Sequence, residues 1–178
     1  MSGMPIYLKA GDLARALPVK PPRMIRADEG RVVSPLGLSF KWKATGQDTG
    51  YAFAVYEMAL APGTGIPMHT HPFAEFFYVL EGAVEVNGLD GDGLRTTSRA
   101  AAGESALAPA NAPHGLHNGS DAPARFLSVA NFEHEEAFNR IERAMAEAGA
   151  ATMSDRRQAE LFIGLAAESQ VFFFGEDG

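Results

Sequence analysis

The 178-residue chain predicts a mainly β fold, a closed antiparallel barrel or sandwich followed by C-terminal α-helices. Three observations carry this. At least seven short runs of β-forming residues are punctuated by glycine, proline, asparagine and aspartate turns, the pattern of a barrel or sandwich. After Phe132 the apolar period changes from two to about 3.6, which marks helices. The length and the 46% apolar content suit one hydrophobic core.

Taken in order, residues 1–36 read as an N-terminal arm. Pro5, Pro18, Pro21 and Pro22 interrupt it, and residues 11–17 offer one or two helical turns. Too short to fold alone, the arm either straps its own barrel or exchanges onto a second subunit. The barrel is placed at 37–132. Strands are expected over 38–43 and 51–60, joined by the hairpin-type loop Thr45–Gly50. One face of the second strand points inward and carries either Phe53 and Val55 or Tyr56 and Met58. Runs 75–80 and 83–86 flank Glu81-Gly82, and the Asp/Gly-rich stretch 87–93 lacks EF-hand spacing and reads as a hairpin turn before 94–98. Runs 104–108 and 124–132 complete the set. A third unit, 133–178, packs on the barrel or on a partner subunit. Its first helix, 134–149, puts Phe138, Ile141, Met145 and Ala148 on one face and ends at a glycine. Its second, 154–169, is capped by Ser154-Asp155 and turns Leu161, Phe162 and Leu165 inward. The apolar tail 171–174 packs on the barrel or the second helix, or else lines a pocket mouth or a dimer seam.

The formal charge of −7 and the scattered Lys and Arg residues exclude nucleic acid as an expected partner. The chain has no cysteine, so it offers neither a disulfide framework nor a thiolate ligand. The N-terminal residues lack the apolar core of a signal peptide, and no run is long enough to span a bilayer. A cytoplasmic protein without a membrane partner is expected, and the apolar surface on the arm, helices and tail suggests a homodimer.

The chemistry is concentrated in residues 63 to 118. His69 and His71 are two apart, so on a strand their imidazoles share a face, and Glu75 lies a further even step along; parity places the three on one wall. His114 follows an Ala-Pro turn, where a second strand brings it opposite. Three imidazoles and one carboxylate then surround one point, a mononuclear metal site. His117 reads as a rim or loop residue and His134 as the start of a surface helix. Glu57 reads as an exposed strand acid. By parity Phe77 and Val79 share the side of Glu75; with Phe53 and Phe73 they are the expected walls of an apolar substrate pocket. No cluster of Lys or Arg stands at even strand spacing nearby, which disfavours a sugar phosphate.

The two segments resemble the paired motifs of the cupin superfamily. Gly63, His69, His71, Glu75 and Gly82 match the first motif, and Gly103, Pro109, His114 and Asn118 the second. One departure stands at Asn111, where the family has glycine; asparagine tolerates positive φ, so the turn is expected to survive. The resemblance implies a cupin-type jelly-roll barrel with His69, His71, Glu75 and His114 as ligands of one divalent transition metal, Fe, Mn, Ni, Cu or Zn. The donor types alone do not choose among these. Glu75, the one anionic ligand, is the expected catalytic residue. A dioxygenase similar to the quercetin-dioxygenase-like single-domain cupins, acting on an aromatic or enolisable small molecule, is the leading expectation. A redox-neutral isomerase, decarboxylase or lyase, and a non-enzymatic small-molecule-binding cupin, are the alternatives.

Overall fold

Residues 21–34 and 38–174 are described by the structure, a computed structural model. Most of the expected arm, including Pro5, Pro18 and the stretch 11–17, lies outside these residues. Its end does not: β1 (Arg31–Val33) pairs with β2 (Ser39–Ala44), so the sheet begins inside the segment read as an arm.

Alternation along the strands builds the barrel. In β3 (Ala54–Leu60), Ala54, Tyr56, Met58 and Leu60 are buried while the residues between them are not. In β10 (Ala124–Ala130) every second residue is buried, and β5 (Glu75–Glu81) buries Glu75, Phe77 and Val79. Such period-two burial is the mark of a strand with one face on a core. These strands, with β8 (Ser105–Ala108), form an antiparallel sheet in the order β1-β2-β3-β10-β5-β8. The second sheet contains β4 (Gly65–Thr70), β6 (Ala83–Leu89), β7 (Arg95–Ala101), β9 (His114–His117) and a short β11 (Phe172–Phe173), in the order β11-β4-β9-β6-β7. Between the sheets lies a core that includes Phe40, Trp42, Met58, Phe77, Val79, Leu116 and Phe126. The result is a jelly-roll-like cupin fold. Of the two faces left open for the stretch 51–60, the structure turns Tyr56 and Met58 inward, and Phe53 is exposed.

Two turns show how local chemistry fixes the strands. Gly82, at φ 70°, joins β5 to β6, and a Cβ there would sit 2.8 Å from the Pro123 carbonyl oxygen, so only glycine fits. Asn118 is fully buried: its amide donates to the Leu60 and Ala122 carbonyls at 3.0 and 2.8 Å, and its oxygen accepts from Ser120. It thereby pins the loop between β9 and β10 to β3.

After the barrel come α1 (Phe132–Glu147) and α2 (Asp155–Glu168). Asn131 caps α1, its oxygen accepting from the His134 amide at 3.2 Å. Phe138 of α1 packs against Phe40, with ring centroids 4.8 Å apart, and the Glu135 carboxylate accepts from the Gly46 amide at 2.6 Å, which fixes the helix to the barrel. Gly149, at φ 69°, ends the first helical segment as expected. Ile141, Met145, Phe162 and Ala166 form a second, smaller core, against which Leu161 and Leu165 pack. The apolar tail continues as β11, which pairs with β4 and rests on α2 through Phe162 and Phe173, 5.9 Å apart.

Candidate metal centre

Nitrogen and oxygen donors of His69, His71, Glu75 and His114 converge within 4.8 Å of one another, and all four residues are buried. Their origin differs from the parity argument. His69 (β4) and His114 (β9) are cross-strand partners in one sheet, whereas Glu75 opens β5 in the other. The chain crosses between sheets at Pro72-Phe73, so even spacing does not carry from His71 to Glu75, and the carboxylate faces the imidazoles rather than joining their wall. Asn111 takes φ 64° as expected, and its amide donates to the His71 carbonyl at 2.8 Å, tying the turn before His114 to the first motif.

The protein presets each imidazole. Nδ1 of His69, His71 and His114 lies 2.9 Å from the carbonyl oxygens of Pro67, Phe73 and Ala112 respectively. A carbonyl only accepts, so each Nδ1 carries a proton, and in the neutral ring each Nε2 keeps its lone pair. Two of these lone pairs face one acceptor: His71 Nε2 and His114 Nε2 stand 3.2 and 3.3 Å from Glu75 Oε2. Neutral rings there would be acceptors aimed at an acceptor, which a proton on His114 relieves in the metal-free protein and a metal ion relieves when bound; three imidazole nitrogens with a carboxylate oxygen are a donor set for a transition metal. The residues fit the ion.

The other carboxylate oxygen is spoken for. Tyr56 Oη and Ser128 Oγ donate to Glu75 Oε1 at 2.8 and 2.7 Å, which leaves Oε2 for the ion. Burial pushes the Tyr56 hydroxyl well above its ordinary range, aided by the Glu75 charge, so it stays a donor. Burial alone would raise the Glu75 carboxyl, but His134, His114 and His71 outweigh it and hold it well below the usual range. Burial pushes His69 down to about 3. His114 goes the other way: burial lowers it, but its bonds to Glu75 and the Ala112 carbonyl raise it further.

His134, read from the sequence as a surface residue, is buried beside the centre. Its Nε2 is 3.7 Å from Glu75 Oε1, its ring stacks on Tyr56 at 5.9 Å, and its Nδ1 has no partner among the described residues. Burial lowers it to about 4, so it is a neutral imidazole. Periodicity held the signal. His134 continues the stripe of Phe138, Ile141 and Met145 back by one turn, and this face packs on the barrel. His117 lies half exposed at the end of β9 with Nδ1 2.9 Å from Glu85 Oε2, a rim position as read. Glu57 pairs with Arg125 at 3.0 Å on the outer face.

A cavity of about 450 Å³ opens from the donors. It is lined by Tyr56, His69, His71, Glu75 and His134 at one end and by side chains such as Leu38, Ile66, Phe138, Phe162, Val171 and Phe173 elsewhere. The expected pocket residues are corrected here, because none of the four lines it. Phe53 precedes β3 and is exposed; Phe77 and Val79 point into the barrel core; Phe73 is buried against the His71 ring at 5.4 Å. Strand parity correctly sent Phe77 and Val79 inward, but the cavity lies nearer the helices than that core.

A family model described as Cupin domain matches residues 56–130, which hold all four donors. No curated protein matches the chain. Among solved structures, the polyketide cyclase RemF from Streptomyces resistomycificus is 24% identical with a TM-score of 0.54, over 63% of this chain and 80% of its own. A predicted oxalate decarboxylase from Thermotoga maritima is 19% identical with a TM-score of 0.52, over 61% of this chain and 98% of its own. A sugar phosphate isomerase from a cupin superfamily, from Silicibacter pomeroyi, is 27% identical with a TM-score of 0.48, over 61% of this chain and 75% of its own. The domain match and the shared fold support the cupin superfamily. No helix among the described residues is long and apolar enough to cross a membrane.

Proposed function

We propose that this protein is a mononuclear metal-dependent enzyme, a dioxygenase acting on an aromatic or enolisable small molecule. One observation carries the reading: three preset imidazole nitrogens and one carboxylate oxygen converge at the polar end of an otherwise apolar cavity. A divalent transition ion held by His69, His71, Glu75 and His114 supplies Lewis acidity and, where it is redox-active, dioxygen chemistry. The chain's own contribution is orientation and dryness. Pro67, Phe73 and Ala112 carbonyls aim the three rings, and Tyr56 with Ser128 holds the carboxylate to one rotamer. Phe138, Phe162 and Phe173 exclude water from the space where a substrate sits. Glu75, already bonded at Oε1, acts as an anionic anchor.

A second reading is favoured by His134 and Tyr56, two neutral proton-bearing side chains beside Glu75 on the cavity wall. They suit a redox-neutral isomerase, decarboxylase or lyase, in which His134 Nε2 or Tyr56 Oη shuttles a proton. Oxygen-electrode assays of iron-, manganese-, nickel- and copper-loaded protein with flavonols, catechols and β-diketones separate the two. The dioxygenase reading predicts substrate-dependent oxygen uptake matching product formed. Product formed at the same rate without oxygen overturns it in favour of the redox-neutral reading.

A further inference from the structure

The cavity has a chemical direction. Its polar side chains, Tyr56, His69, His71, Glu75 and His134, cluster at the barrel end, around Glu75. Much of the apolar wall comes from outside the matched cupin domain: Phe138 and Ile141 of α1, the helix that also carries His134; Phe162, Ile163 and Ala166 of α2; and Phe173 of β11. Among the described residues no Lys, Arg or other polar side chain stands on that wall. The wall is also joined to the centre, since Phe173 pairs with His69 across β11 and β4 and its ring stacks on the His69 ring at 5.4 Å and 29°.

We propose that the C-terminal extension, α1, α2 and β11, is the specificity element, and that it selects a molecule with one polar, chelating end and an uncharged apolar body. The polar end lies against the histidines and Glu75; this half rests on the metal-centre reading above. The body lies among Phe138, Ile141, Phe162 and Phe173, inside the half-exposed rim at Ile163, and this half stands on the cavity lining alone. A charge at the far end of such a ligand would be buried among phenylalanine and isoleucine with no counter-charge or hydrogen-bond donor, and would be rejected strongly. The volume of about 450 Å³ accommodates a fused two-ring body.

Three probes of one shape test this on the full-length protein by calorimetry: 2-naphthol, 3-hydroxy-2-naphthoate, polar at one end, and naphthalene-2,6-dicarboxylate, charged at both. The expected result is binding of the first two and roughly 100-fold weaker binding of the third, the size of one unpaired buried charge. Ala159→Trp, at a further α2 residue that lines the cavity, and Ile163→Trp, at its half-exposed rim, should each weaken 2-naphthol by about tenfold or more. Metal content and circular-dichroism melting should stay near the parent values. Equal binding of the two acids, or unchanged 2-naphthol binding in both folded variants, overturns the proposal. The two readings fail separately. If metal-free protein binds 2-naphthol and added metal does not strengthen 3-hydroxy-2-naphthoate, the metal-centre reading fails and the apolar wall stands. If the protein binds metal but none of the naphthalenes, the apolar wall fails and the centre stands.

Discussion

The two ends of the cavity are built by different rules. At the donor end each of the four converging side chains is fixed by a short local bond: three imidazoles by carbonyls 2.9 Å away, and one carboxylate by two hydroxyls at 2.8 and 2.7 Å. At the other end Phe138, Ile141, Phe162 and Phe173 meet only through packing of α1, α2 and β11. On the proposed reading, reactivity resides in a directional hydrogen-bonded set around Glu75, and selectivity in a contact surface with no such constraints, which tolerates change in shape but not in polarity.

The sharpest way to break this contrast is Glu75→Gln. The substitution conserves shape, but Tyr56 and Ser128 both donate to the position of Oε1, so the amide oxygen settles there and its NH2 turns toward His71 Nε2 and His114 Nε2. The amide then satisfies the lone pairs meant for the ion. Metal content should fall by two orders of magnitude or so, as much as in His71→Ala or more, because a donor replaces a ligand. Elemental analysis of the variant after dialysis measures it; near-parent occupancy would show that the two hydroxyls do not dictate the rotamer.

A smaller effect is expected from Ser128→Ala. It leaves Glu75 Oε1 with Tyr56 alone and should destabilise the protein by about 1–3 kcal/mol. Metal affinity should fall roughly tenfold through the loosened carboxylate. Urea melts and metal competition titrations check the two figures. A loss confined to stability would make the hydroxyl a packing group only.

The least dramatic effect is one of pH on the metal-free protein. His69 and His134 are lowered to about 3 and about 4, chiefly by burial. Between the ordinary 6.5 and those values the unfolded chain binds protons that the folded one does not, so stability falls as pH drops through this window. Glu75, held low, acts in the same sense: its contribution is present above the ordinary carboxyl range and lost as pH falls through its depressed value. His114 opposes them, since its raised value stabilises at acid pH and that contribution is lost as pH rises through it. Glu75 acts only below its ordinary value of 4.5, so between pH 7 and pH 5 two imidazoles stand against one and predict a lower urea midpoint at pH 5 than at pH 7. An equal or higher midpoint at pH 5 would mean that the buried imidazoles take up protons without cost.

The same contrast explains what could be read from the sequence. The convergence of four donors was legible because His69, His71, Glu75 and His114 sit on short, glycine-bounded segments whose spacing brings them together. Asn111 was legible for the same reason, since one φ angle decides it. The sheet assignment of Glu75 was not, because parity fails where Pro72-Phe73 carries the chain across the barrel. Tyr56 was left as one of two possible faces of its strand, and Ser128 was passed over, since an inward serine on β10 means little until Glu75 is known to lie 2.7 Å away. His134 was misplaced because a single imidazole at a helix start looks solvated unless its stripe is followed to the barrel. Phe53 was placed in the pocket by choosing the wrong face, and the actual wall, Phe138, Phe162 and Phe173, depends on how two helices and a two-residue strand dock.

The most direct test of the central claim is the metal content of the purified full-length chain and of His114→Ala, measured side by side by elemental analysis after reconstitution with excess iron, manganese, nickel, copper or zinc. The structure predicts about one ion per chain for the parent with at least one of these metals, and at least a tenfold loss of affinity in the variant. A parent that retains none of them, or a His114→Ala protein that retains the same ion as tightly, would contradict it.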